Sequence, residues 1–226
     1  MNYIENTYIC LAAPLFLATL FLRREGRRSL SFVLAGMTAC LLSAYISTFF
    51  AGQTGIDLIT ASHGISPVVE EIMKSLPLLF FLLVFEPDKK ITIAGSIMIS
   101  VGFATFENVC FLTSYGSVQL LRLVIRGFGT GAMHVVCGMI VAIGLFFLWD
   151  QVWLRVVGSF ALLCFTITFH AVFNIFVNQS GVVFWVGTAI PLTLILVYVI
   201  FFRKKIAMAS QAAEQIQSKD SALELK

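Results

Sequence analysis

Apolar residues in this chain come in blocks of about twenty, a length that matches one helical crossing of a bilayer, and polar residues are confined to short interruptions between the blocks. The blocks cover 4–22, 30–50, 68–85, 91–113, 129–149, 154–177 and 182–202. Each predicts one spanning helix, and together they predict an all-α polytopic bundle of about seven helices. Most blocks are apolar on every face, a pattern that lipid permits and water does not. The interruptions are Arg23-Arg24-Glu25-Gly26-Arg27-Arg28, a polar loop over 51–66, Glu86-Pro87-Asp88-Lys89-Lys90, the segment 115–126, Asp150-Gln151 and Asn178-Gln179-Ser180-Gly181. This places one transmembrane domain over 1–205, with its polar core at 66–178, and a cytoplasmic tail at 206–226.

Composition sharpens the class. An apolar fraction of 59%, 22 Phe and a mean hydropathy of +0.94 exclude a soluble domain, in which about half the residues are apolar. The net charge of +3 comes from basic residues in short clusters and not in a stripe, which argues against a nucleic-acid partner and leaves the lipid bilayer as the surroundings. The clusters instead read as topology signals. On strict alternation, Arg23, Arg24, Arg27, Arg28, Lys89, Lys90, Arg155, Arg203, Lys204 and Lys205 fall on one side, and only Arg122 and Arg126 on the other. The N-terminus is therefore expected outside and the C-terminus in the cytoplasm. Arg122 and Arg126, one turn apart, suggest a short amphipathic helix over 118–128 at the outer interface. Asn2 and Glu5 precede the first block where a signal peptide would carry basic residues, so that block is read as a retained helix. Cys10, Cys40, Cys110, Cys137 and Cys164 lie in apolar blocks without CxxC pairing and read as buried thiols. No internal repeat is visible, which weighs against the common transporter architectures.

The third block is the exception to its surroundings. Ser66-Pro67-Val68-Val69-Glu70-Glu71-Ile72-Met73-Lys74 puts two carboxylates and an ammonium into a segment otherwise fit to span, and each charge in hydrocarbon costs about 2.5–3.5 kcal/mol on insertion scales. Helical spacing predicts a Glu70–Lys74 pair one turn apart, with Glu71 about 100° away and available for other work. The bland alternative has Ser66 as N-cap, Pro67 at the first helical position and the glutamates complementing the helix dipole. It leaves Lys74 unexplained. Further polar residues interrupt later blocks: Glu107 and Asn108 in the fourth, His134 in the fifth, His170 and Asn174 in the sixth. Alone, each reads as readily as a satisfied structural residue. With the N-terminus outside, all of them fall in the outer half, with Glu107 and His170 roughly 10 Å below the outer ends of their helices. Cys110 and Cys137 share faces with Glu107 and His134, where packing is the expected role.

Carboxylates, imidazoles and an amide at one depth supply what peptide hydrolysis needs: an activated water, oxyanion stabilisation and a proton for the leaving amine. Two arrangements are open. Glu107, His134 and His170 could hold Zn²⁺, or a glutamate could activate water directly, with Glu71 favoured for that role and the imidazoles and Asn174 stabilising the oxyanion. Absence of HExxH tilts the reading toward direct glutamate chemistry. An ion- or proton-coupled transporter could use the same residues and is the alternative.

Glu70-Glu71-x-x-Lys74, Phe103-x-x-x-Glu107, the isolated His134 and His170-x-x-x-Asn174, in this order on four successive helices, resemble PrsW, a family of bacterial multi-pass membrane proteases. The layout is similar to that of the CAAX-prenyl-protease and bacteriocin-processing membrane peptidases (EExxxR, FxxxH, HxxxN), from which Lys74 and Glu107 depart in the direction of PrsW. The resemblance implies a plasma-membrane enzyme that makes the first, extracytoplasmic cut in a membrane-anchored anti-sigma factor and so releases a sigma factor in an envelope-stress or antimicrobial-peptide response. It implies catalytic roles for Glu70, Glu71, Lys74, Glu107, His134, His170 and Asn174.

The charge bias makes a prediction of its own. Reporter tags at Gly26 and Asp88 are expected to read cytoplasmic, and tags at Thr54 and Gln179 to read external; a cytoplasmic Gln179 would put the polar level in the wrong leaflet.

Overall fold

The computed structural model describes residues 4–85, 88–115, 120–148 and 151–202. Seven α-helices are present among them: α1 (Ile4–Phe21), α2 (Arg24–Thr54), α3 (Leu58–Phe85), α4 (Lys89–Tyr115), α5 (Leu120–Leu148), α6 (Val152–Val177) and α7 (Val182–Val197), the last running into a π-helical turn at Tyr198–Phe202. Six segments are long and apolar enough to cross a membrane. The exception is α3, in which every 18-residue window contains Glu70, Glu71 and Lys74. The tail at 206–226, the basic run 203–205, and Glu86, Pro87, Val118 and Asp150 lie outside the described residues.

The helices exceed the apolar blocks at several ends, because polar residues at a membrane interface can continue a helix whose interior is apolar. Arg24, Glu25, Gly26, Arg27 and Arg28 form the first turns of α2 and not a loop. The expected polar loop over 51–66 shrinks to Gly55, Ile56 and Asp57. Asp57, not Ser66, caps α3: its Oδ1 accepts from the backbone N–H of Ile59 at 2.9 Å and of Thr60 at 3.0 Å, and its Oδ2 from the Thr60 hydroxyl at 2.6 Å. The Thr60 hydroxyl and the backbone donors hold the Asp57 carboxyl below its ordinary range. Pro67 therefore lies inside α3, fully buried, and not at its first position. In the same way the segment carrying Arg122 and Arg126 is the continuous start of α5 and not a separate interfacial helix.

Five helices close a ring in the order α2, α3, α6, α5, α4, with α4 back against α2. Outside it, α1 packs on α2 and α4, and α7 on α5 and α6. The tightest crossing joins α2 to α4. A Cβ on Gly36 would stand 2.0 Å from the Ile99 carbonyl oxygen, and one on Gly102 would stand 2.1 Å from that of Val33. In lipid, where burying apolar surface does not drive helices together, such backbone approach gives packing contacts that larger residues prevent. Met37, Ala39, Cys40, Phe103 and Phe106 fill the adjacent core, and Tyr8 of α1 joins it with its ring edge-on to Phe106 and its hydroxyl 2.7 Å from Thr38 Oγ1. Large apolar side chains such as Leu20, Phe21, Phe80, Phe160 and Val182 face outward, as lipid-facing residues do. The expectation of five buried thiols is corrected here: Cys40 and Cys137 are buried and Cys110 is intermediate, while Cys10 and Cys164 are exposed on the outer faces of α1 and α6.

Because the α2–α4 crossing has no room for a side chain, Gly102→Val is expected to destabilise the bundle by at least the roughly 1–3 kcal/mol typical of overpacking. Thermal unfolding in detergent, compared with Gly131→Ala, where an added Cβ meets nothing within 4 Å, measures the difference.

Candidate active site

Of the polar residues singled out on α3, α4, α5 and α6, Glu70, Glu71, Lys74, Glu107, His134 and His170 converge inside the ring. Glu71, Lys74, His134 and His170 are at most 6% exposed. At its centre the Lys74 Nζ lies 2.6 Å from Glu71 Oε1 and 2.9 Å from His134 Nδ1. Phe103, the aromatic residue one turn before Glu107, forms the floor: its ring centroid is 5.1 Å from the Lys74 ammonium and 5.0 Å from the His134 ring. The expected Glu70–Lys74 pair is thus corrected to Glu71–Lys74. Spacing i,i+3 serves as well as i,i+4 on a helix, and the neighbours on α5 and α6 decide between them.

From this centre one chain of polar contacts runs in two directions. His170 Nδ1 lies 2.8 Å from the same Glu71 oxygen, and His170 Nε2 lies 3.6 Å from Glu70 Oε2. On the other side His134 Nε2 lies 2.6 Å from Glu107 Oε2, and Arg126 Nη2 reaches Glu107 Oε1 at 3.1 Å. The two imidazoles stand edge to face, 5.0 Å apart. An ammonium only donates and a carboxylate only accepts, which fixes the neutral tautomers. His134 accepts at Nδ1 from Lys74 and donates from Nε2 to Glu107. His170 donates from Nδ1 to Glu71 and turns its Nε2 lone pair toward Glu70.

That last contact sets an acceptor against an acceptor. Glu70 Oε2 is buried and has no hydrogen-bond partner. Three carboxyl groups (Glu70, Glu71, Glu107) meet two cations (Lys74, Arg126), and Glu70 is the one left without a cationic partner or a donor. A divalent cation would suit this place. Glu70, His134 and His170 bring ligand atoms within 4.8 Å of one another, and two ligands on one tetrahedral Zn²⁺ stand roughly 3.4 Å apart for bonds of about 2.0–2.1 Å. Glu70 and His170 fit as they are. His134 has both nitrogens engaged, and would join only by exchanging Lys74 or Glu107. Glu70 thus stands in the cluster where Glu107 was the sequence candidate, and Glu107 instead holds His134.

Asn174 faces elsewhere. Its amide nitrogen donates to the Ser62 carbonyl at 2.9 Å, tying α6 to the part of α3 that precedes Pro67, where the proline removes the donor that the His63 carbonyl would otherwise have. Asn178 Nδ2 lies 2.5 Å from His63 Nε2 and extends the tie. Asn108 carries a buried Oδ1 without a partner. Cys137 is buried with its Sγ 3.8 Å from the Thr166 carbonyl oxygen, a packing role, and Cys110 sits in the cluster around Phe106. Sequence reasoning missed Arg126 as a member of the cluster and His63 as a member of the tie between α3 and α6; Arg126 was visible only as an interfacial charge. With α3 beginning at Leu58, Glu70 lies roughly 18 Å along its helix and His134 roughly 21 Å along α5, deeper than the block boundaries suggested. Neither is a first-turn residue, so complementing the helix dipole does not account for Glu70 or Glu71.

These environments separate the two adjacent glutamates. Glu71→Ala leaves Lys74 buried without its carboxylate and is expected to cost about 3–5 kcal/mol of stability, whereas Glu70→Gln replaces a carboxyl whose Oε2 has no hydrogen-bond partner and is expected to leave stability nearly unchanged. Thermal unfolding of the two variants checks the contrast; equal losses would contradict the pairing.

Residues 27–203 match the sequence pattern of the PrsW family intramembrane metalloproteases. No curated protein and no solved structure matches the chain. Since the match takes in α3 to α6 with the whole polar cluster and well over half of the chain, this multi-pass membrane protein belongs to the PrsW family of intramembrane proteases.

Proposed function

We propose that the chain is a metal-dependent endopeptidase of the bacterial plasma membrane that makes the first, extracytoplasmic cut in a membrane-anchored anti-sigma factor, initiating release of the sigma factor in an envelope-stress response. The observation that carries the hydrolytic reading is the unpartnered Glu70 Oε2 opposite the His170 Nε2 lone pair. Family membership supports the protease class, and the family resemblance motivates the substrate class.

Glu70 and His170 would hold the ion, and His134 would join them only by giving up Lys74 or Glu107. When bound, the ion would lower the pKa of a water and polarise the scissile carbonyl. The remaining chemistry belongs to the side chains. In hydrolysis the water oxygen bonds to the carbonyl carbon, the C–N bond breaks, and a proton from the water reaches the leaving amine. Glu70, 16% exposed, and Glu107, 27% exposed, are the more exposed of the three carboxyl groups and can carry that proton. Glu71 is sealed between Lys74 and His170. Its part is to hold His170 with Nε2 turned outward, while Lys74 turns His134 so that Nε2 carries its proton. The site lies well inside the bundle, so a substrate segment has to unwind to offer a peptide bond to it.

The purified protein is expected to carry about one divalent ion per chain, to lose it in Glu70→Gln and His170→Ala, and to stop cleaving co-expressed single-span anti-sigma factors after chelation. Metal-free protein that cleaves at full rate would restore the direct glutamate mechanism. Intact substrates together with ion flux in proteoliposomes would favour the transporter.

A further inference from the structure

Arg126 stands at the end of the polar chain, and its surroundings differ from those of an interfacial anchor. An anchoring arginine lays its stem along apolar surface and keeps its charged head in water. Here the side chain is only 30% exposed, and its guanidinium lies 3.8 Å from the centroid of the Phe111 ring and reaches Glu107 with Nη2 at 3.1 Å. Phe111 and Glu107 are one turn apart on α4, so one helix supplies both the plate on which the guanidinium lies and the carboxylate to which it points.

The Glu107 contact is one-pronged. Arginine and carboxylate on their own prefer two parallel hydrogen bonds. Glu107 instead divides its oxygens, Oε1 to Arg126 and Oε2 to His134 at 2.6 Å, and the Arg126 Nε is left buried with no partner. Forgoing the second bond makes sense if the orientation of Glu107 toward His134 is what matters.

We infer that Arg126 is a positioning residue of the active site: it holds the Glu107 carboxylate so that Oε2 receives the His134 Nε2–H. The link to catalysis rests on the hydrolytic reading above, but the effect on His134 does not. Carboxylates that orient an active-site histidine typically change metal affinity or activity by 10–100-fold when removed, and Arg126 acts one contact further out, through Glu107.

With only His63, His134 and His170 in the chain, nitrogen-15 spectra of histidine-labelled protein in lipid bilayers resolve His134 without any substrate. Wild type is expected to show His134 as the Nε2–H tautomer and His170 as the Nδ1–H tautomer. Arg126→Gln should disturb the His134 nitrogens as Glu107→Gln does and leave His63 unchanged. The Arg126→Gln/Glu107→Gln double variant should add nothing to Glu107→Gln. Arg126→Lys keeps the charge but neither the planar stacking nor the directed N–H, so it should fail to restore the spectrum; Phe111→Leu, which preserves Arg126, should give a weaker form of the same change if Arg126→Gln does not fold. Where a cleavable anti-sigma factor is in hand, Arg126→Gln should lower kcat about 10–100-fold with KM little changed. An unaltered His134 spectrum in Arg126→Gln, or full restoration by Lys, makes Arg126 an interfacial charge and overturns the inference. A perturbed His134 in a protein that cleaves no anti-sigma factor supports the positioning role and counts against the proposed substrate instead.

Discussion

A lysine ammonium inside an apolar bundle must be surrounded before the chain can settle around it, and the burial of Lys74 is the constraint on which the rest of this structure depends. Its two hydrogen-bond partners sit on different helices, Glu71 on α3 and His134 on α5, and each partner is fixed by another: His170 on α6 for Glu71, Glu107 on α4 for His134. Satisfying one charge thus fixes the relation of four helices. In lipid, where burying apolar surface gives no preference between helix pairings, such contacts and close backbone packing are what select one arrangement.

The fold separates these two tasks in space. Close packing is concentrated where α2 crosses α4 at Gly36 and Gly102, and α4 carries Phe103 and Glu107 just beyond that crossing. A rigid α2–α4 pair therefore sets the height of the aromatic floor beneath Lys74 and of the carboxylate beside His134. On the opposite side of the ring, α6 is held to α3 by polar ties from Asn174 to Ser62 and from Asn178 to His63, on the Leu58 side of Pro67. A proline interrupts the hydrogen-bond ladder there and leaves a carbonyl without its helical donor, so side chains from α6 take over where the backbone cannot bond itself.

Much of this was legible in the sequence, for reasons that are local. Seven apolar blocks reported seven helices because lipid demands apolar residues around the full circumference. Charges inside those blocks marked residues that meet in one cluster, because a charge in a spanning helix needs a partner on a neighbouring one. Less legible were the helix starts: Asp57 capping α3 lies in a polar stretch that looks like a loop when only hydropathy is considered, and Leu120 opens α5 in a segment that reads as a separate interfacial helix. The partner of Lys74 was illegible as well, since one helix offers both Glu70 and Glu71 and only the positions of His134 and His170 choose between them. Arg126 was hidden by its class. An arginine at a helix end has an ordinary interfacial reading, and its contact with Glu107 depends on the antiparallel packing of α4 against α5, which spacing along the chain does not encode.

The two histidines illustrate how such a cluster acquires a direction. Both are imidazoles at most 2% exposed, and in isolation nothing would distinguish their nitrogens. Lys74 imposes acceptance on His134 Nδ1, and Glu71 imposes donation on His170 Nδ1, so one ion pair sets the two rings in opposite tautomers. The outcome is asymmetric: His134 is saturated by Lys74 and Glu107, while His170 keeps a free lone pair beside a buried carboxyl oxygen of Glu70 that has no partner. An unmatched acceptor pair is the least stable element of a buried network, and it involves Glu70, the most exposed of Glu70, Glu71 and Lys74 on α3. The satisfied part of the network therefore serves as the scaffold for the unsatisfied part: Glu71 and Lys74 orient the two rings, and beside Glu70 that orientation leaves two acceptors unmatched, where a cation would find ligands.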